Sequence, residues 1–150
     1  MADKTENKAI GQLGEDIAEK YLKKQGFSIL DRNYWKKWGE IDIVGENKGK
    51  IHFVEVKAVR VEGLSIVGPI EGNNGETVAC PAKLLPKSEV GYRPEENVHP
   101  KKLERMRRVI QTYILEKGIE DREWQFDVIT VQIDMRSRKA RVRVLGDLVL

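Results

Sequence analysis

Two apolar, β-branched runs separated by four residues set the strongest constraint on the fold. Gly39-Glu40-Ile41-Asp42-Ile43-Val44-Gly45 and Lys50-Ile51-His52-Phe53-Val54-Glu55-Val56-Lys57 each read as a strand. Between them, Glu46-Asn47-Lys48-Gly49 is a hairpin connection, with glycine where a positive φ is often needed. In the first run, Ile41 and Ile43 are expected on one face, with Glu40 and Asp42 on the other. In the second run, Glu55 and Lys57 share a face. With Lys48-Gly49 as a two-residue turn, Asp42 falls opposite Glu55 and Glu40 opposite Lys57. A bulge or a longer loop would shift that register.

Like charges facing each other on a sheet are destabilising by roughly 0.2–1 kcal/mol when exposed, and by more when buried. Ile51, Phe53, Val54 and Val56 surround these charges, which implies a central strand. A hard divalent cation would remove the conflict, because two carboxylates, a backbone carbonyl and waters suit Mg²⁺. A lysine two residues after such a ligand can hold an attacking water or a phosphate oxygen. The competing reading is a set of surface charges on a solvated sheet face. It suits an isolated Asp or Glu better than this cluster.

The rest of the chain supplies helices and further strands around the hairpin. Ile10, Leu13, Ile17, Tyr21 and Leu22 recur at helical spacing, with Gly11, Gly14 and Ala18 on or beside that stripe, and Gly26 ends the helix. Phe27 to Asn33 reads as a strand. Tyr34-Trp35-Lys36-Lys37-Trp38 is expected to join it to the hairpin, as a loop that stacks bases and holds phosphates or as an apolar lid on the sheet edge. A second helix starts at Pro100, carries Leu103, Met106, Ile110, Tyr113 and Ile114 as its stripe, and ends at Gly118. Trp124 to Ile133 is a strong strand, and Lys139 to Leu145 alternates like an edge strand with one wet face. Residues 61–97, rich in proline and glycine, read as an inserted loop or flap within a single domain. The expected fold is α/β, with a mixed central sheet and helices packed on it, in the order α-β-β-β-(long loop)-α-β-β.

The chain is 150 residues long, 40% hydrophobic and 34% charged, with a net charge of +3, as befits an ordinary globular protein. Its one cysteine, Cys80, excludes an internal disulfide and a cysteine-pair metal site. No apolar run is long enough for a signal peptide or a membrane span, so a cytoplasmic location and no membrane partner are expected. His52 points away from Glu55 by strand parity and reads as structural, and His99 as a helix-start residue.

The spacing of Asp42 from Glu55-Val56-Lys57 resembles the D…(D/E)-x-K signature of restriction-endonuclease-like nucleases. The surrounding residues narrow the resemblance. Gly14-Glu15-Asp16-Ile17-Ala18, Tyr21-Leu22, Gly26-Phe27, Arg32-Asn33, residues 39–44, residues 53–57 and Phe126-Asp127-Val128 together resemble the YraN family. That is a bacterial family of uncharacterised, predicted endonucleases, similar in fold to archaeal Holliday junction resolvases. The resemblance covers residues 9–60 and 94–133. It implies a restriction-endonuclease-like fold and a Mg²⁺ (or Mn²⁺) site with Asp42 and Glu55 as ligands. The Val56 carbonyl would be a further ligand, Lys57 would position the water, and Glu15 would be an extra acidic residue at the metal. On the helical wheel Glu15 sits at the border of the apolar stripe, which suits that role and a surface position equally. The segment after Lys57 departs from the short loop usual in such proteins.

Basic residues beside such a site extend the expectation to nucleic acid. Lys101, Lys102 and Arg105 open the second helix, and Lys36, Lys37 and Arg60 lie near the strand ends. Alone, such charges are usually a solvated helix face. The first reading is therefore a metal-dependent endonuclease acting on DNA, branched or damaged DNA included. The alternatives are a non-catalytic DNA-binding adaptor in repair, recombination or DNA uptake, and an RNA-processing nuclease. A homodimer stays open.

Overall fold

A computed structural model of the chain describes residues 4–62 and 100–150. Its elements in chain order are α1 (Lys4–Lys24), β1 (Ser28–Lys36), β2 (Gly39–Asn47), β3 (Lys50–Arg60), α2 (Pro100–Lys117), β4 (Trp124–Asp134) and β5 (Lys139–Leu145). From residue 63 onward, the expected loop over 61–97 lies outside the described residues, as do Cys80 and His99.

The five strands form one mixed sheet in the order β1-β2-β3-β4-β5. All neighbours are antiparallel except β3 and β4, which are parallel. A parallel pair needs a long crossover, and α2 lies within it. The α/β order expected from the sequence is the order found.

Local chemistry explains most of the boundaries. Lys48 and Gly49 have φ of 51° and 80°, the two positive values of a type I′ turn, and Asn47 pairs with Lys50 across it. Both helices end in the same six-residue cap. At Gly26 (φ 91°) the Phe27 N–H reaches the Leu22 carbonyl at 3.0 Å, and at Gly118 (φ 64°) the Ile119 N–H reaches the Ile114 carbonyl at 3.1 Å. The β1–β2 connection is tighter than expected. Tyr34, Trp35 and Lys36 pair with Ile41, Glu40 and Gly39, so they extend β1 and leave only Lys37-Trp38 as the turn.

The helices cover opposite faces of the sheet. On one face Ala18, Tyr21 and Leu22 of α1 pack with Ile43, Val54, Ile129 and Val131. On the other, Met106, Val109, Ile110 and Tyr113 of α2 pack with Val44, Phe53, Phe126 and Val128. Full burial of each such side chain contributes roughly 1.5–3 kcal/mol. Leu13, expected in the stripe of α1, is 36% exposed, and Gly14 takes the buried place beside it. A Cβ at Gly14 would stand 2.3 Å from the Ala58 Cβ, so glycine is what lets α1 lie against β3. His52 is structural, as expected: its Nδ1 lies 2.7 Å from Asp127 Oδ2 and its ring meets Phe27 edge-on. On the edge strand β5 only Arg143 faces solvent, whereas Arg141 is buried.

Candidate active site

Asp42, Glu55 and Lys57 come together where β2 and β3 part. Their ladder runs from Asn47↔Lys50 to Ile43↔Val54, and one more step in that register sets Asp42 across from Glu55. At that step a side chain replaces the ladder, and the Val56 N–H donates to Asp42 Oδ2 at 2.8 Å. Strand alternation changes phase at the same point. Ile41 packs on the α2 side and Ile43 on the α1 side, so the expectation that they share a face does not hold. The reason is local: the Asp42 carboxylate takes the amide that the next backbone carbonyl of a regular ladder would have met.

Two ammonium groups converge on one oxygen of Glu55. Lys102 Nζ stands 2.6 Å from Glu55 Oε1, and Lys57 Nζ stands 3.3 Å from it. Lys102 was expected to meet phosphate. From the first turn of α2 it instead binds this carboxylate 47 positions away in sequence.

Glu15 belongs to a neighbouring clamp. Arg32 on β1 donates to Glu15 Oε2 at 3.2 Å, to Asp16 Oδ1 at 2.9 Å and to Glu19 Oε2 at 2.7 Å, tying α1 to the sheet edge. Asn33, in the left-handed region at φ 51°, turns its amide nitrogen to Glu15 Oε2 at 3.1 Å and to Glu40 Oε1 at 3.3 Å. This arrangement sets Glu15 and Glu40 beside the Asp42–Glu55 pair.

The electrostatics follow from that crowding. Burial first, and then the Glu55 charge, push the Asp42 carboxyl up to about 7, with Glu15 and Glu40 adding to the effect and the Val56 N–H opposing it. Glu40 is raised by desolvation and then by Glu15 and Glu55. Burial and the nearby Lys102 ammonium lower Lys57, against the pull of Glu55. Desolvation acts against Lys102, but its contact with Glu55 outweighs this and its pKa is raised.

A cleft of about 770 Å³ opens over this cluster, with Glu40, Asp42 and Glu55 in its lining. Of the basic residues singled out in the sequence, Lys36, Lys37, Lys102 and Arg105 line it. Arg60 does not; it pairs with Glu6 of α1. Lys101 is exposed outside the lining. Among the described residues, no three His, Cys, Asp or Glu side chains converge to hold a metal ion between them. Asp42 and Glu55 are two carboxylates that could offer oxygens to a cation in this cleft, within the small number that Mg²⁺ takes from protein while keeping its waters. Sequence reasoning left Arg32 and Asn33 out of the site and gave Glu40 only a register position. Arg32-Asn33 carried a signal nonetheless, as part of the family resemblance.

The profile of the uncharacterised protein family UPF0102, the YraN family, matches residues 14–131. This chain belongs to the UPF0102 family. The matched span contains Glu15, Asp42, Glu55, Lys57 and Lys102. A UPF0102 protein of Campylobacter jejuni subsp. doylei is 35% identical over 125 residues, covering 83% of this chain and 85% of that protein. Relatives from Persephonella marina (32% over 121 residues, 81% of each chain) and Clostridium kluyveri (31% over 141 residues, 94% and 93%) bear the same family name. Among the described residues, no helix is long and apolar enough to cross a membrane.

Proposed function

We propose that this UPF0102 protein is a metal-dependent nuclease that hydrolyses phosphodiester bonds in DNA. The observation that carries the reading is the Asp42–Glu55 pair, joined by Lys57 and facing a cleft lined with Lys36, Lys37 and Arg105. A half-buried aspartate pushed up to about 7 beside a second carboxylate is an arrangement that divalent charge relieves. Asp42 and Glu55 would hold a Mg²⁺ or Mn²⁺ ion, with the Val56 carbonyl alongside. When bound, such an ion supplies positive charge for the phosphoryl group and acidifies water.

The chain's own residues do the rest. The Val56 N–H fixes the Asp42 carboxylate in one orientation. Lys57, on the same strand face as Glu55, orients the attacking water and balances charge on the phosphate. Lys37 and Arg105 bind flanking phosphates, and Lys36 and Lys102 join them once they leave Glu116 and Glu55. Glu15 and Glu40 keep the region acidic.

The reading is tested by a cleavage panel with Mg²⁺ and Mn²⁺ over duplex, single-stranded, flap and four-way-junction DNA, plus RNA. Lys57→Ala is expected to abolish cleavage while weakening binding only modestly, since one cation among several phosphate contacts changes affinity little. Arg105→Ala is expected to weaken binding in a salt-dependent way and spare turnover at saturating DNA. A wild type that cleaves nothing, or a Lys57→Ala variant as fast as wild type, refutes the proposal. A non-catalytic DNA-binding adaptor is the second reading. It is favoured by Lys102 on Glu55 and by the lack of a third His, Cys, Asp or Glu side chain converging there among the described residues. It predicts DNA binding with no cleavage under any metal.

A further inference from the structure

Trp35 is 66% exposed, although it sits in the strand β1, across from Glu40. About two-thirds of this residue therefore stays in water. Among the described residues, Trp35 has no ring–ring or cation–ring contact. Its neighbours are held differently. The Arg108 guanidinium stacks 4.6 Å over the Trp38 ring, and Lys36 is fixed by Glu116 at 2.6 Å. The tip of the β1–β2 hairpin is therefore a braced support that presents one free aromatic face.

Trp35 lines the same cleft as Asp42 and Glu55, and Lys37 and Arg105 belong to that lining as well. An aromatic ring flanked by cations is the arrangement that binds unpaired nucleotides: the ring stacks on a base and the cations meet the phosphates on either side. A base inside a duplex already has both faces covered by its neighbours. The cleft volume of about 770 Å³ falls in the range of small-ligand pockets, which suits a few splayed nucleotides better than a length of double helix.

We infer that Trp35 is a base-stacking platform and that the preferred ligand of this cleft is nucleic acid with unpaired nucleotides, as in a single strand, an overhang or a gap. This rests on the nuclease reading for its reacting phosphate, but the binding itself needs no metal and no cleavage. The ring does not read the sugar, so DNA and RNA share the chemistry, and paired probes tell them apart.

The experiment is equilibrium binding in EDTA, followed by fluorescence anisotropy. End-labelled probes are single-stranded DNA, single-stranded RNA, blunt duplex DNA and duplex DNA with an overhang. Wild type is expected to bind the single-stranded and overhang probes more tightly than the blunt duplex. Trp35→Ala should lose about tenfold or more on those probes and keep its blunt-duplex affinity, while Trp35→Phe retains most of the binding. Unlabelled single strands should quench tryptophan emission in wild type, and much less so in Trp35→Ala. Circular dichroism checks that both variants fold, which the exposure of Trp35 favours. The inference is overturned if wild type prefers the blunt duplex or binds no probe, or if Trp35→Ala binds single strands as wild type does. If Trp35-dependent binding is found in a protein that cleaves nothing with Mg²⁺ or Mn²⁺, the stacking platform stands and the nuclease reading falls. If cleavage depends on Asp42 but is indifferent to Trp35, the nuclease reading stands and the stacking platform falls.

Discussion

Replacing Asp42 by asparagine should stabilise the metal-free protein, by an amount that grows with pH. Burial and the Glu55 charge raise the Asp42 carboxyl from an ordinary 3.8 to about 7 in the folded chain. A raised folded-state pKa means that the protonated side chain is favoured by folding. Its contribution is fully present below the unfolded value and is lost as pH rises through the folded one. Between pH 3.8 and about 7, ionisation therefore costs stability at about 1.4 kcal/mol per pH unit. The cost is under about 1 kcal/mol at pH 4 and reaches a few kcal/mol at pH 8. Asparagine keeps an oxygen for the Val56 N–H and carries no charge, so Asp42→Asn removes the cost while preserving the contact. Urea denaturation in EDTA at pH 4, 6 and 8, comparing the variant with wild type at each pH, reads what the Asp42 charge costs beside Glu55. The variant should match wild type within about 1 kcal/mol at pH 4 and exceed it by a few kcal/mol at pH 8. A pH-independent difference, or a loss of several kcal/mol at pH 8, would refute the reasoning and make Asp42 a structural hydrogen-bond hub.

Further outcomes follow from the same geometry. Calorimetric titration with Mn²⁺ should give weak binding to wild type and none to Asp42→Ala, whereas equal binding by both would remove the site. In the same assay Lys102→Ala should bind Mn²⁺ several-fold more tightly, because its ammonium no longer holds Glu55 Oε1 at 2.6 Å; unchanged or weaker binding would contradict that competition. Gly14→Ala should cost about 1–3 kcal/mol in urea melts, since its new Cβ would stand 2.3 Å from the Ala58 Cβ. Adding Ala58→Gly should recover part of the loss. A Gly14→Ala protein as stable as wild type would mean that α1 sits less tightly on β3.

The sequence alone determined whatever is settled over short range. The strand pattern of residues 39–45 and 50–57, with Lys48-Gly49 between them, was enough for the hairpin and for its register from Asn47↔Lys50 to Ile43↔Val54, one step short of Asp42 and Glu55. Both helix ends were legible, because Gly26 and Gly118 are the residues that reach the left-handed cap without strain. Lys57 followed from its spacing from Glu55, and the family resemblance added Glu15 as an expected neighbour of the cluster. Tertiary structure decided the remainder, because the remainder depends on partners far along the chain. Only the packing of α2 could show that Lys102 binds Glu55, 47 residues away, when a run of basic residues on a helix otherwise reads as a solvated face. Only the approach of α1 to β3 could show why Gly14 is buried and Leu13 left outside. The change of face at Asp42 was invisible to a strict alternation rule, because it arises where a carboxylate takes the Val56 amide and the ladder opens. Trp35 reads as part of a loop in the sequence, and its pairing with Glu40 turns it into an exposed ring on a paired strand end. A sequence carries its local conformational preferences in its own residues, but which charges share a cleft is set by the long-range closure of the sheet around them.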